Sequence, residues 1–179
     1  MEPWLRPEDA ADTGDSTEHH LLDLFKSLEQ AFYWLSEHLR ATPEEALWWE
    51  PAPGVPSIGV RIQHIIRSSE RLATYAFARN PDFEALAAEA QHDWTPPPEP
   101  PQKDELLADL QALHEGIRRR LQLLSPDALY RQRHVGRRRI PVRRSTILHH
   151  IAEHAAYHAG QLILILRLWQ AHHTSHSDA

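Results

Sequence analysis

The chain has 179 residues, 41% of them hydrophobic and 25% charged, which is the balance of an ordinary globular domain built around one core. A formal net charge of −6 argues against a general nucleic-acid binder. There is no cysteine, which excludes disulfides, a thiolate nucleophile of the protein's own and cysteine-based zinc sites, so any metal would fall to His, Asp, Glu or backbone oxygens.

Residues 1–15 are acidic and contain proline, and read as a flexible lead-in. They carry neither the basic nor the apolar region of a signal peptide, and no apolar run approaches the ~18–20 residues that cross a bilayer. The expectation is a cytoplasmic protein with no membrane partner. Ser16 or Thr17 is placed to cap a first helix over 17–40. Leu21, Leu24, Phe25, Leu28, Phe32, Leu35 and Leu39 recur there at spacings of three and four, one buried stripe of an amphipathic helix. Its histidines, His19, His20 and His38, read as solvated surface. The stretch from Ala41 to Ser57 holds four prolines and a glycine, which forbid a long helix and predict an ordered loop pinned by Trp48 and Trp49.

Ser57 is placed to cap a second helix over 57–79, with Ile58, Ile62, Ile65, Ser69, Leu72 and Ala76 as its core stripe. His64 lies off the centre of that stripe, on a flank shared with Ser68, Arg71 and Tyr75. By periodicity alone this flank is either surface or one wall of a hydrated cavity. Asn80-Pro81-Asp82 stops the helix, a short helical piece follows over 83–91, and the run from Trp94 to Pro101 reads as a stiff extended crossover within one bundle.

A third helix is predicted over 103–124, with Leu106, Leu110, Leu113, Ile117, Leu121 and Leu124 facing inward. Residues 131–144 hold seven arginines in fourteen positions, with Gly136 and Pro141, and read as an irregular basic loop. Such a loop either balances an acidic protein in solvent or captures an anionic substrate, because arginine forks onto carboxylate or phosphate. No aromatic residues interleave the charge, which disfavours nucleic acid. A fourth helix covers 145–172, followed by a polar, disordered tail over 173–179, with His172, His173 and His176 at the frayed end. Four amphipathic helices and little strand signal make the expected class all-α: a single four-helix-bundle domain over 16–172, with the proline-rich crossover between its second and third helices.

The chemistry concentrates in the fourth helix, where His150, His154 and His158 follow one another at spacings of four. Residues four apart share a helix face. At 100° per residue, His154 and His158 fall beside the apolar arc of Ile147, Ile151, Leu162, Ile165 and Trp169, and His150 stands at its shoulder. Two imidazoles turned toward a core are costly unless their nitrogens find partners, which either a metal ion bound by both or a hydrogen-bonded polar network would supply. His150-Ile-Ala-Glu153-His154 also matches the H-x-x-E-H pattern of inverted zinc proteases. That site needs a carboxylate ligand downstream, and after His158 the only acid is Asp178, so the protease reading is set aside.

Trp48-Trp49-x-Pro51-x-Pro53-Gly54-x-x-Ser57-Ile58-Gly59 leading to His64, together with Glu153-His154-Ala-Ala-Tyr157-His158-Ala-Gly160-Gln161, resembles the DinB-like (DinB/YfiT) superfamily over roughly residues 20–170. That resemblance implies a metal-binding four-helix bundle, with a divalent ion, zinc or nickel, held by His64 from the second helix and by His154 and His158 from the last. It also implies a metal-dependent enzyme, such as a bacillithiol- or mycothiol-type S-transferase that activates a thiol or water on a three-histidine site. A small-molecule thiol and an electrophile would be the substrates, and the thiol would come from outside because the chain has no cysteine. His150, Tyr157 and Arg71 are the candidates for groups around the ligands, and Arg71 or the arginines of 131–144 for binding carboxylates of the thiol. A homodimer is the expected assembly. The alternative is a non-catalytic, stress-related binding or dimerisation module in which the metal is structural.

Overall fold

The structure is a computed structural model and describes residues 16–174. The lead-in expected over 1–15, the tail beyond 174 with His176, and the capping side chains of Ser16 and Thr17 lie outside the described residues. In chain order the elements are α1 (Ser16–Ala41), α2 (Glu44–Leu47), α3 (Ile58–Phe77), α4 (Phe83–Glu89), α5 (Lys103–Gln122), the strands β1 (Gln132–Val135) and β2 (Ile140–Arg143), and α6 (Arg144–Thr174). The four long helices, α1, α3, α5 and α6, are those that the apolar stripes predict. Leu24, Leu28, Phe32, Leu35 and Leu39 of α1 meet Ile58, Ile62 and Ile65 of α3, Leu106, Leu110, Ile117 and Leu121 of α5, and Ile147, Ile151, Leu162 and Ile165 of α6 in one buried cluster. The fold is an all-α four-helix bundle.

The packing order decides what can meet. α6 lies against both α1 and α3, and so does α5, which places α1 diagonally across from α3 and α5 diagonally across from α6. The segment 42–57 therefore carries the chain across the bundle, and its tryptophans hold it there. Trp48 packs so closely on the first turn of α3 that a Cβ at Gly59 would lie 2.7 Å from its ring, and its indole N–H donates to the carbonyl of Pro101 at 3.3 Å. Ser57 caps α3 as its position suggests, its Oγ accepting from the N–H of Val60 at 3.3 Å.

Three expectations need correction. The basic stretch 131–144 is not an irregular loop: Gln132–Val135 pairs antiparallel with Ile140–Arg143, and Gly136 turns the hairpin at a φ of +67°. Two of its arginines act as staples, and the other five are exposed. Arg133 donates to the carbonyls of Tyr75 and Ala78, and buried Arg144 to those of Ala76 and Ala128, which satisfies the open carbonyls at the C-terminus of α3. Second, α6 continues two residues past the expected end at 172. His172 leans on Trp49, and the Nδ1–H of His173 donates to the carbonyl of Trp169 at 2.8 Å. Third, the histidines of α1 are not solvated surface but half-buried. His20 bridges the phenol of Tyr130 at 3.0 Å and Nε2 of His149 at 2.9 Å. Among the described residues no helix is long and apolar enough to cross a membrane.

Candidate metal centre

The neighbourhood of α3 and α6 brings His64 face to face with His154 and His158, and one ring nitrogen from each of the three lies within 4.8 Å of the other two. Nε2 of His154 is 3.0 Å from Nε2 of His64 and 3.0 Å from Nε2 of His158. His158 is 4% exposed and His64 7%, so the flank of the second helix that periodicity left open is its buried side, with Ser68 and Tyr75 buried beside it. His150 stands outside, largely exposed, its ring centroid 5.9 Å from that of His154 and its Nδ1 near Glu153. Glu153 points to solvent, so the protease-like motif does not assemble.

Each imidazole has its other nitrogen turned toward an acceptor. Nδ1 of His158 lies 2.7 Å from Oε1 of Gln161, the same oxygen that accepts from Nη1 of Arg61 at 2.6 Å. Because Arg61 can only donate, that atom is the amide oxygen, and Nδ1 of His158 carries the proton. Ser68 gives its hydroxyl hydrogen to the carbonyl of Ile65, so toward Nδ1 of His154, at 3.4 Å, it acts as an acceptor. Nδ1 of His64 faces a carboxylate oxygen of Asp93 at 3.8 Å. Gln161 thus fixes the proton of His158 on the outside, Nδ1 of His64 is buried without a hydrogen bond, and the three Nε2 atoms face one point.

The three rings stay neutral near neutral pH. Burial, reinforced by the neighbouring His158, pushes the pKa of His64 from 6.5 down to about 4. Burial together with His158 and His64 does the same for His154, also to about 4. His158 is lowered by burial too, against the opposing pull of its bond to Gln161. Three converging lone pairs on neutral imidazoles are the donor set of a divalent transition metal. A tetrahedral zinc ion, bound at about 2.0–2.1 Å, spaces its ligand nitrogens by about 3.3 Å, close to the separations found. The residues present fit the ion.

The segment that closes the site comes from between α4 and α5. Asp93 is buried, and Arg71 of α3 grips it with both guanidinium nitrogens, Nη1 on Oδ1 at 2.8 Å and Nη2 on Oδ2. One turn earlier, Nη1 of Arg67 donates to the carbonyls of His92 at 2.9 Å and Thr95 at 3.3 Å. The two arginines reel in residues 92–95 and set Trp94 flat on His64, with centroids 3.8 Å apart and planes inclined by 15°. Arg71 thus reaches the site through Asp93, with its fork already occupied. Tyr157 packs edge-on against His158, at 5.2 Å between centroids, and is 65% exposed. Tyr157, His150 and the outer edge of Trp94 mark the solvent side of the cluster.

The arginines of 131–144 lie elsewhere. Arg133 and Arg144 grip the end of α3 from Tyr75 onward, about 16 Å along the helix from His64 at 1.5 Å per residue. Sequence reasoning gave no role to Asp93, Trp94, Gln161 or Arg61. Gln161 had a local signal, since it follows His158 by three positions on one helix face. Asp93 and Trp94 had none, because what fixes them is an ion pair to a helix more than twenty residues away.

Residues 27–162 match the sequence model of the DinB superfamily. Among solved structures, the chain is similar to a DinB-like protein from Bacillus cereus ATCC 10987, with a TM-score of 0.64 and 19% identity over 80% of this chain and 89% of that one. It is also similar to YfiT from Bacillus subtilis, described as a probable metal-dependent hydrolase with an unusual four-helix bundle topology. That likeness has a TM-score of 0.59 and 15% identity, over 90% of this chain and 91% of that one. A comparison with curated proteins yields no match.

Proposed function

The chain belongs to the DinB superfamily, and from that premise we propose that it is a divalent-metal-dependent enzyme whose ion, zinc or nickel, is held by His64, His154 and His158. The convergence of three buried or half-buried Nε2 atoms on one point, with Gln161 holding His158 in the tautomer that frees its Nε2, carries the reading. Three neutral ligands leave coordination positions open, and an ion so held lowers the pKa of a thiol or water that it binds. The rest is supplied by the chain. Gln161 fixes the orientation of His158, while Ser68 and Asp93 stand beside Nδ1 of His154 and of His64. Trp94 covers the face of His64 and keeps water from it. The side bordered by Tyr157 and His150 is where a substrate would enter.

The most concrete form of this activity is S-transfer, in which a low-molecular-weight thiol from outside attacks an electrophile, since the chain has no cysteine to serve as nucleophile. The description of YfiT as a hydrolase favours a second form, with water in place of the thiol. Purified protein should carry about one zinc or nickel per chain by elemental analysis, and His154→Ala should lose it. Thiol consumption against electrophiles such as monochlorobimane, set beside ester and amide hydrolysis, separates the two forms. Protein that stays metal-free after expression in supplemented medium would sink both.

A further inference from the structure

Arg61 sits one turn before His64 on α3, and its charge has no counterion. Its Nη1 is used on the amide oxygen of Gln161, its Nε is buried without any acceptor, and among the described residues no carboxylate forms an ion pair with it. The guanidinium lies 5.7 Å from the centroid of Trp94, close enough to the cluster to hold down the pKa of both His64 and His158. Its own pKa is lowered by burial and raised by Tyr157, the residue at the open side.

A buried cationic donor without an acceptor is expensive, and a divalent ion at the histidines makes it more so. With the ion bound, the centre would hold the metal's two positive charges together with those of Arg61 and Arg71. The single negative charge of Asp93 is already shared with Arg71. That excess calls for anions, and the side bordered by exposed Tyr157 and His150 is open to one. Building on the metal-dependent reading, we propose that Arg61 is the substrate-recognition group of this site. It receives a carboxylate of the thiol or other substrate while the reacting atom of the same molecule meets the ion. The arginines first considered for that task do not compete for it, since Arg71 is bound to Asp93 and those of the hairpin lie at the far end of α3.

Two short thiol acids, mercaptoacetate and 3-mercaptopropionate, and their uncharged amides provide the test. On cobalt-loaded protein the visible spectrum reports each probe at the ion, while the Nε–H resonance of Arg61 in ¹⁵N-labelled zinc protein reports the carboxylate independently. At least one acid should bind about 10- to 100-fold more tightly than its amide and shift the Arg61 resonance. Arg61→Gln should abolish that preference, whereas Arg61→Lys should keep part of it. Equal binding of acid and amide to the unaltered protein would overturn the assignment, and so would a preference that survives in Arg61→Gln. A cobalt spectrum that no thiol changes, while the Arg61 resonance still responds to the acids, would instead count against thiol activation at the ion and leave the anion site standing.

Discussion

At the scale of single residues, the site is a problem in proton placement. An isolated imidazole has only a small preference for which nitrogen carries its hydrogen, and at His158 an acceptor outside the ring decides. That acceptor is Gln161, whose one oxygen holds both His158 and Arg61. Gln161→Leu removes the acceptor at similar size, and metal affinity should fall by about 10- to 100-fold, read by competition with a chromophoric chelator. The bundle itself should stay folded. In the metal-free protein, the same burial makes these histidines sensors of acid. His64 and His154 titrate near 4 when folded, against 6.5 when unfolded. Between those values the unfolded chain takes up protons that the folded chain refuses, so stability should be fully present above pH ~6.5 and decline as the pH falls toward ~4. Urea midpoints of stripped protein near neutrality and at about pH 5 test this. A midpoint unchanged over that interval would contradict the burial of the two rings.

At the scale of elements, two glycines of the family-like motifs behave in opposite ways. Gly59 faces the Trp48 ring so closely that any Cβ forces the indole to move, and Gly59→Ala should cost about 1–3 kcal/mol in denaturant unfolding. Gly160, in the H-x-x-x-H-x-G-Q stretch, has open space where its Cβ would stand and lies exposed within α6. There Gly160→Ala should stabilise by up to about 1 kcal/mol through helix propensity alone, measured in the same titration. The elements also differ in how plainly the sequence announces them. The long helices were legible because each buries one stripe, as Leu106, Leu110, Leu113, Ile117 and Leu121 do on α5. His154 and His158 were legible for the same reason, and His150 was correctly set at the edge. The hairpin was not: its strands are four residues long, rich in arginine and only partly covered, so no alternation of apolar side chains marks them. His64 was ambiguous on its own helix, because what buries it is α6 and the 92–95 segment rather than the stripe it flanks. The resemblance to a known family, not the periodicity, nominated it.

At the scale of the whole molecule, the ligands join parts of the chain that backbone connectivity keeps apart. His64 lies on α3 and the other two on α6, ninety residues later, while Asp93 and Trp94 enter from the connector that α3 itself clamps with Arg67 and Arg71. An ion held at that junction would bind only when all three pieces are assembled, so its binding free energy would add to the stability of the folded state. At a free metal concentration of a hundred times the dissociation constant, the added stability is about 2.7 kcal/mol. For a chain of this length, that corresponds to a rise in melting temperature of roughly 5–10 °C. Chelation should therefore lower the midpoint of the loaded protein by that amount, and resupply of zinc or nickel should restore it. The double variant His154→Ala/His158→Ala should show neither response, because it lacks two of the three lone pairs. Asp93→Asn should fall between, since it keeps all three histidines and loses the charge that faces His64 and pairs with Arg71. Should chelator leave the unaltered, metal-loaded protein's midpoint where it was, the ion is not held at the α3–α6 junction.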